Sequence, residues 1–449
     1  MYNEKNDFSK GSIVSHMLRL AVPMTIAQLI NILYNIIDRI FIGRIPVDAT
    51  NALTGVGVAF PICTITIAFA NLIGSGGGPL FSISRGMGDN EEAERIMGNS
   101  FLLLVLLGVL TGGCIFAVRE PLLYLFGAGK ATHGYAMDYI SIYLFGTVFV
   151  MLSLGLNFFI NAQGFAKTGM ATVSIGAVTN VILDYIFILK LNLGVKGAAL
   201  ATVISQFLAA LWTVSFLVGK KTEARLKFSC MKFQAKRVKR IIGLGMSGFM
   251  MQITNGAVQI VCNKSLAIYG GDLYIAAMTI INSVREMAQL GVSGIGSGSQ
   301  PVISYNYGAD KPKRVKKTIH TMAISLLVYT TVAWIFIMIF ARQFVECFNK
   351  NPELLPIGIK SIHVYFFGFF MMAFQFTGQT VFQALGKSKS AVFFSLLRKV
   401  IIVIPLTVLL PLIPRVGVYG VFAAEPVSNF VGGLACAMTM YFTVYKRLE

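Results

Sequence analysis

Two acidic residues and one carboxamide lie where polar groups are expensive. Asp38 stands toward the end of one apolar stretch (LINILYNIIDRIF), and Asn180 and Asp184 stand in another (VTNVILDYIFIL). A charge at the centre of a bilayer costs roughly 2.5–3.5 kcal/mol on insertion scales, so each carboxylate needs a reason. Asn180 precedes Asp184 by four residues, which puts both on one helix face. Two carboxylates and a carboxamide can bind a hard cation such as Na⁺ through oxygen. Two neighbouring carboxylates can instead share a proton, because each opposes ionisation of the other. Either arrangement is an ion-coupling site. The competing readings are that Asp38 pairs with a nearby Arg and that Asp184 bonds a hydroxyl.

Other polar residues in apolar surroundings are candidates for substrate contact. Glu286, next to Arg285, can meet a cationic substrate or pair with an Arg nearby. Glu425, just before Pro426, reads either as a second cation contact or as an acid kept neutral by burial. Asp138, His320 and His363 fall near the ends of apolar stretches, where wetted or hydrogen-bonded side chains are expected. The six cysteines are scattered without CxxC or CxH spacing, so neither a metal centre nor a disulfide framework is indicated. The only metal ion expected is Na⁺ at the acidic site. No nucleophile motif and no nucleotide-binding loop is present, which argues against an enzyme, an organic cofactor or ATP-driven transport. The 35 Phe, 20 Met and 16 Tyr provide adaptable apolar and aromatic surface that suits small lipophilic cations.

The elements that must position these residues are membrane helices. The chain is 55% hydrophobic and 13% charged, with a mean hydropathy of +0.72; soluble domains carry about a quarter charged residues. Uncharged runs such as 49–84, 139–166 and 197–219 reach the roughly 20 residues that span a bilayer. Spans at 14–41, 49–84, 96–118, 139–166, 168–190, 197–219, 241–263, 287–309, 318–341, 361–386, 390–413 and 417–444 predict an all-α membrane protein of twelve transmembrane helices. They must be helices, because lipid offers no partner to a free backbone amide. The net charge of +19 follows topology, not nucleic acid. With the N-terminus inside, the predicted cytoplasmic segments hold 24 Lys and Arg against 10 in the outer loops. Both termini are therefore expected in the cytoplasm. The polar opening MYNEKNDFSKGS has no apolar run before a cleavage site, and no removable signal peptide is expected.

The spans form two related sets. GSGGGPLFSISRG at 74–86 recurs as GSGSQPVISYNYG at 296–308, QGFAK at 163–167 as QALGK at 383–387, and GVKG at 194–197 as GVYG at 417–420. Offsets of 222, 220 and 223 make one half a degenerate copy of the other. This predicts two pseudo-symmetric six-helix lobes, 1–219 and 241–449, joined by a basic cytoplasmic linker at 220–240 that carries nine Lys and Arg and one Glu. That linker either fixes topology or dips Phe228, Met231 and Phe233 into an anionic leaflet. The inner loops DNEEAER and DKPKRVKK occupy equivalent places in the halves; solvated charge or a mutual salt bridge would account for them. The copy lacks the acids: Val400 and Ile404 match Asn180 and Asp184, and Cys262 falls near the match to Asp38. Acids confined to one half favour function over a general folding role.

Taken together, LAVP in the first span, IIDRIFIGR, GSGGGPLFSISRGMGD, QGFAKTG, TNVILDYIFI and GVKGAALATVISQ resemble the MATE (multidrug and toxic compound extrusion) transporters, nearest to the MepA-like bacterial branch. The resemblance covers nearly the whole chain. It implies a V-shaped two-lobe architecture in a bacterial cytoplasmic membrane and antiport of lipophilic, mainly cationic drugs against Na⁺ or H⁺ by alternating access. It also implies a cation site of Asp38, Asn180, Asp184 and Thr202. Substrate contacts are expected from Arg285, Glu286 and Glu425. Some relatives carry acids in spans seven and ten; here span seven has Gln252, Asn255 and Gln259 and span ten has Gln375 and Gln379, which argues against coupling through those acids and leaves Glu286 or Glu425 as substitutes. No obligatory protein partner is indicated. The alternative function is a flippase for a lipid-linked sugar or cell-wall precursor, with Arg39, Arg285 and Arg398 facing its pyrophosphate.

Overall fold

The computed structural model describes residues 7–45, 48–349 and 351–448. The first six residues of the polar opening and the C-terminal Glu449 lie outside the described residues, and with them part of the expectation about the two termini. Every regular element among the described residues is helical. Twelve long rods follow one another: α1 (Ile13–Ile42), α2 (Ala49–Gly86), α3 (Asn90–Ala117), α4 (His133–Ala162), α5 (Ala166–Lys190), α6 (Gly194–Val218), α7 (Ala235–Tyr269), α8 (Asp272–Gly308), α9 (Pro312–Ile339), α10 (Leu354–Ala384), α11 (Ser388–Leu412) and α12 (Tyr419–Thr443). Eleven are long and apolar enough to cross a membrane. The remaining one, α8, is 37 residues long and starts well before the expected span at 287–309, because it continues through Arg285 and Glu286. Hydropathy hides that continuation, since the two charges interrupt the apolar run while the backbone stays helical.

The chain divides into two compact units, 1–7 with 22–245 and 8–21 with 246–449. Each therefore takes in the opening turns of a helix whose remainder belongs to its sister. In the first unit the opening of α7 lies against α2, and a Cβ on Gly245 would stand 1.6 Å from the Leu72 carbonyl oxygen. In the second unit the opening of α1 lies against α8, and a Cβ on Gly298 would come within 2.7 Å of the Ala21 amide. The duplicated glycine segments are thus crossing points where one backbone touches another. Beyond the crossings, Ile13 and Met17 of α1 join Val292, Ile303, Phe382 and Cys436 in a core of the second unit. A core of the first unit gathers Ile62, Tyr139, Ile140, Ile188 and Ala198 from α2, α4, α5 and α6.

Polar straps hold each opening turn. In the first unit the acidic start of α3 grips the basic segment before and at the start of α7. Glu92 accepts two hydrogen bonds from Arg237, at 2.9 and 2.5 Å, and Glu94 accepts from Lys227 Nζ at 2.7 Å and from the Arg225 amide at 3.0 Å. The 220–240 segment is thereby tied down at Lys227 and Arg237, while Phe228 stays 83% exposed. In the second unit Arg314 donates to the carbonyls of Phe8, Lys10 and Gly11, and Lys311 to that of Ser9. Glu92 and Glu94 of the acidic loop and Lys311 and Arg314 of the basic one thus each hold the lead-in to a crossing helix. A Gly245→Val variant should be overpacked by about 1–3 kcal/mol. It should melt at a lower temperature in detergent than a Gly243→Val variant, whose added Cβ meets nothing within 4 Å.

Candidate ion and substrate sites

In the first unit, α1 brings Asp38, α5 brings Asn180 and Asp184, α6 brings Thr202, and α4 adds Tyr139. Asp184 is fully buried and Asn180 nearly so. The Asp38 and Asp184 carboxyls approach closely enough to interact with each other. Among the described residues, no donor other than a proton shared by the two reaches either Asp184 oxygen, and Asp38 Oδ1 and Asn180 Oδ1 are likewise without a partner. Four buried oxygens therefore lack donors in a setting where an orphaned polar group is costly. Asn180 Nδ2 donates to Thr202 Oγ1 at 3.4 Å, and that hydroxyl donates to the Ala198 carbonyl at 3.0 Å. Tyr139 also reaches Thr202. The helix turns from α to π geometry immediately after Asp184, over Tyr185–Lys190, an irregularity often found at functional positions. A cavity of about 150 Å³ adjoins the group, its lining including Asp38, Thr202, Tyr34, Asn31, Tyr139 and Asn157.

The competing reading of Asp38 does not hold. Arg39 is exposed, with its guanidinium 5.5 Å from the centre of the Phe60 ring, and among the described residues no ion pair reaches Asp38. Nor does Asp184 bond a hydroxyl. Sequence reasoning did not find the tyrosines of α1 and α4. Tyr34 lies four residues before Asp38, and that spacing was the available signal.

The second unit solves burial differently. Glu425 is ion-paired to Arg398, and Lys399 Nζ stands 3.3 Å from each of its oxygens. All three are buried. Glu425 is therefore neither a bare cation contact nor a neutral acid, because two cations hold it as a carboxylate. The π-helical stretch Leu397–Val403 carries Arg398 and Lys399. Neighbours on a regular α-helix diverge by about 100°, and the wider π turn lets both side chains reach one carboxylate. Arg285 donates to the Tyr365 hydroxyl at 3.3 Å, and Glu286 is exposed. Both line a cavity of about 380 Å³ together with Arg398, Lys399 and Glu425. Cys262 and Thr407, near the counterparts of the first-unit site, form a buried neutral pair at 3.9 Å. Of the three arginines considered for a pyrophosphate, Arg39 belongs to the first unit and Arg285 and Arg398 to the second. Asp138 lies 3.5 Å from Lys196 in a half-exposed pair. His363 contacts the Met338 carbonyl at 3.0 Å, and His320 is exposed.

A family model described as MatE matches residues 23–186 and 247–409, one stretch from each half. The chain is 27% identical over 444 residues to the multidrug export protein MepA of Staphylococcus haemolyticus (strain JCSC1435), covering 98% of this chain and 96% of that one. It is 26% identical to the protein of the same name from Staphylococcus saprophyticus, covering 98% of this chain and 95% of the relative. Its fold matches a crystal structure of MATE in the bent conformation with a TM-score of 0.93, at 21% identity, over 100% of this chain and 99% of the other.

Breaking a buried pair by removing one partner costs about 3–5 kcal/mol, since a charge is left unpaired. Glu425→Gln should therefore lower the melting temperature markedly in detergent. Asp138→Asn removes a half-exposed pair and should change stability by no more than about 1 kcal/mol. Equal melting of the two variants would contradict the assignment.

Proposed function

The chain belongs to the MatE family as a multi-pass membrane transporter, not an enzyme, and we propose that it exports lipophilic, mainly cationic drugs across a bacterial cytoplasmic membrane in exchange for Na⁺ or H⁺. The observation that carries this reading is the Asp38–Asp184 pair, in which Asp184 is fully buried and both its oxygens and Asp38 Oδ1 find no donor among the described residues. Asp38, Asn180, Asp184 and Thr202 are the ion receptor. Asp38 and Asp184 supply charge, Asn180 supplies a free carbonyl oxygen, and Thr202 orients the Asn180 amide. The two carboxyls suit a shared proton, and the whole oxygen set suits Na⁺.

Two unit charges about 4 Å apart repel by about 4 kcal/mol at an effective dielectric constant of 20. An ion or proton between two such carboxylates removes that repulsion. Moving a two-state equilibrium from 1:99 to 99:1 takes about 5.5 kcal/mol, so occupancy of one buried acid pair is of the right order to switch the first unit between two packings. Drug and ion need not touch, provided that both bias the same equilibrium. The basic segments 220–240 and 311–317, with both termini, lie on the cytoplasmic side in this reading.

The test is efflux of ethidium from proteoliposomes with the Na⁺ and proton gradients imposed separately. One gradient should drive efflux by the native protein. Asp184→Asn should insert normally and lose at least about nine-tenths of the gradient-driven rate. Full efflux by Asp184→Asn would overturn the proposal, and efflux independent of both gradients would overturn ion coupling altogether.

A further inference from the structure

A groove of about 590 Å³ opens on the surface of the second unit between α10 and α12, with Met338 of α9 at one edge. On α10 it is lined by Lys360, His363, Val364 and Phe367, and on α12 by Ala423, Pro426, Val427 and Phe430. Each set follows the i, i+3, i+4, i+7 spacing of a single helix face. The groove therefore runs along both helix axes for about 10 Å, seven residues at about 1.5 Å each. The two helices point the same way here. Lys360 Nζ stands 4.1 Å from the centre of the Tyr419 ring at the start of α12, and the Phe367 ring lies 6.3 Å from that of Phe430. Glu425 projects from the opposite face of α12, about 200° from Ala423 and Val427. The groove is thus separate from the cavity that Arg398 and Lys399 line.

Its two ends differ. Lys360 is exposed at the mouth, directly before the uncharged run 361–386. It is held over the Tyr419 ring, and no carboxylate pairs with it among the described residues. His363 is committed to the Met338 carbonyl at 3.0 Å. Past it the lining is apolar, and Phe367 and Val431 are 60% and 56% exposed. Such a face on spanning helices meets hydrocarbon, where an acyl chain is the available filling.

We infer that the groove binds an anionic phospholipid, with one acyl chain laid along the α10–α12 face and the phosphate on Lys360. A lysine at the edge of the apolar run spans the interface with its stem and offers its charge to a headgroup. A second copy of this chain seated groove to groove would instead bring a second Lys360 against the first. Met338 and Lys360 lie at the ends of α9 and α10 away from the basic segment 311–317. The lipid therefore belongs to the outer leaflet in the orientation proposed above; its binding does not depend on the exporter reading.

The chain carries its own reporter. Of its two tryptophans, Trp334 stands one turn before Met338, with its ring 5.2 Å from that of Phe370, which is 6.0 Å from that of Phe430. A Trp212→Phe background leaves Trp334 alone. Brominated phosphatidylglycerol and brominated phosphatidylcholine are compared as quenchers of its fluorescence, with the full chain in phosphatidylcholine bilayers. Phosphatidylglycerol should bind about fivefold more tightly, the effect of one lysine near a headgroup. Lys360→Gln should abolish that preference and Lys360→Arg should keep it. Lys264→Gln removes a charge near the end of α7, outside the groove, and should leave the preference unchanged. Val427→Phe fills the groove and should weaken quenching by both lipids. Equal quenching by the two lipids in the native sequence overturns the inference. So does a preference that survives Lys360→Gln or falls equally with Lys264→Gln, which would mark general surface attraction. Absence of quenching by either lipid would mean that protein covers the groove, and overturns it too. No gradient or drug is used, so loss of ion-driven efflux and loss of lipid preference are read independently.

Discussion

Hydrocarbon supplies no counter-ion and no hydrogen-bond partner, and every charged group inside this protein has to answer to that constraint. The two units answer it in opposite ways. In the second, Arg398 and Lys399 close on Glu425, and the group is nearly satisfied from within. In the first, Asp38 and Asp184 face each other, and Asp38 Oδ1 and both Asp184 oxygens have no donor among the described residues. A satisfied network stiffens the structure around it. An unsatisfied pair of acids remains sensitive to whatever ion reaches it. The two sites sit on corresponding helices of a duplicated scaffold, and they differ in side chains and in backbone, since the π stretch follows Asp184 in the first unit and spans Leu397–Val403 in the second. Thr202 on α6 corresponds to Glu425 on α12, and Asn180 on α5 to Val400 beside Lys399 on α11.

The scaffold that carries these sites depends on close backbone contact. Glycines at the α2–α7 and α8–α1 crossings let one helix rest on the main chain of another, and small residues are the general means of such packing in membranes. Because α1 and α7 each run through both units, the lead-in to each is pinned by polar straps. Glu92 and Glu94 do this for α7, and Lys311 and Arg314 for α1. The inner-loop charges, which a topological rule counts only by sign, also have individual structural partners.

Much of this was legible in the sequence, for physical reasons. Long apolar runs are a local property, so the spans could be read directly, and the recurrence of GSGGGP as GSGSQP exposed the duplication. Asp38, Asn180 and Asp184 stood out because their cost in lipid is independent of context, and the structure brings all three together with Thr202. What stayed hidden depends on contacts distant in sequence. Glu425 and Arg398 lie 27 residues apart, and neither names the other. The π stretches depend on packing, not on propensity. The assignment of 8–21 to the second unit could not be inferred from a polar opening followed by an apolar run. The full length of α8 was concealed by Arg285 and Glu286, the same charges that line the second-unit cavity.

The central claim is that an ion binds between two acids of the first unit. It is tested most directly by equilibrium ion binding to the purified chain, with Na⁺ binding followed by calorimetry and proton uptake by a pH indicator, in the native protein and in Asp38→Asn. The account predicts that one of the two ions binds at a single site per chain and that Asp38→Asn abolishes this binding. Unchanged binding of that ion by Asp38→Asn would contradict it.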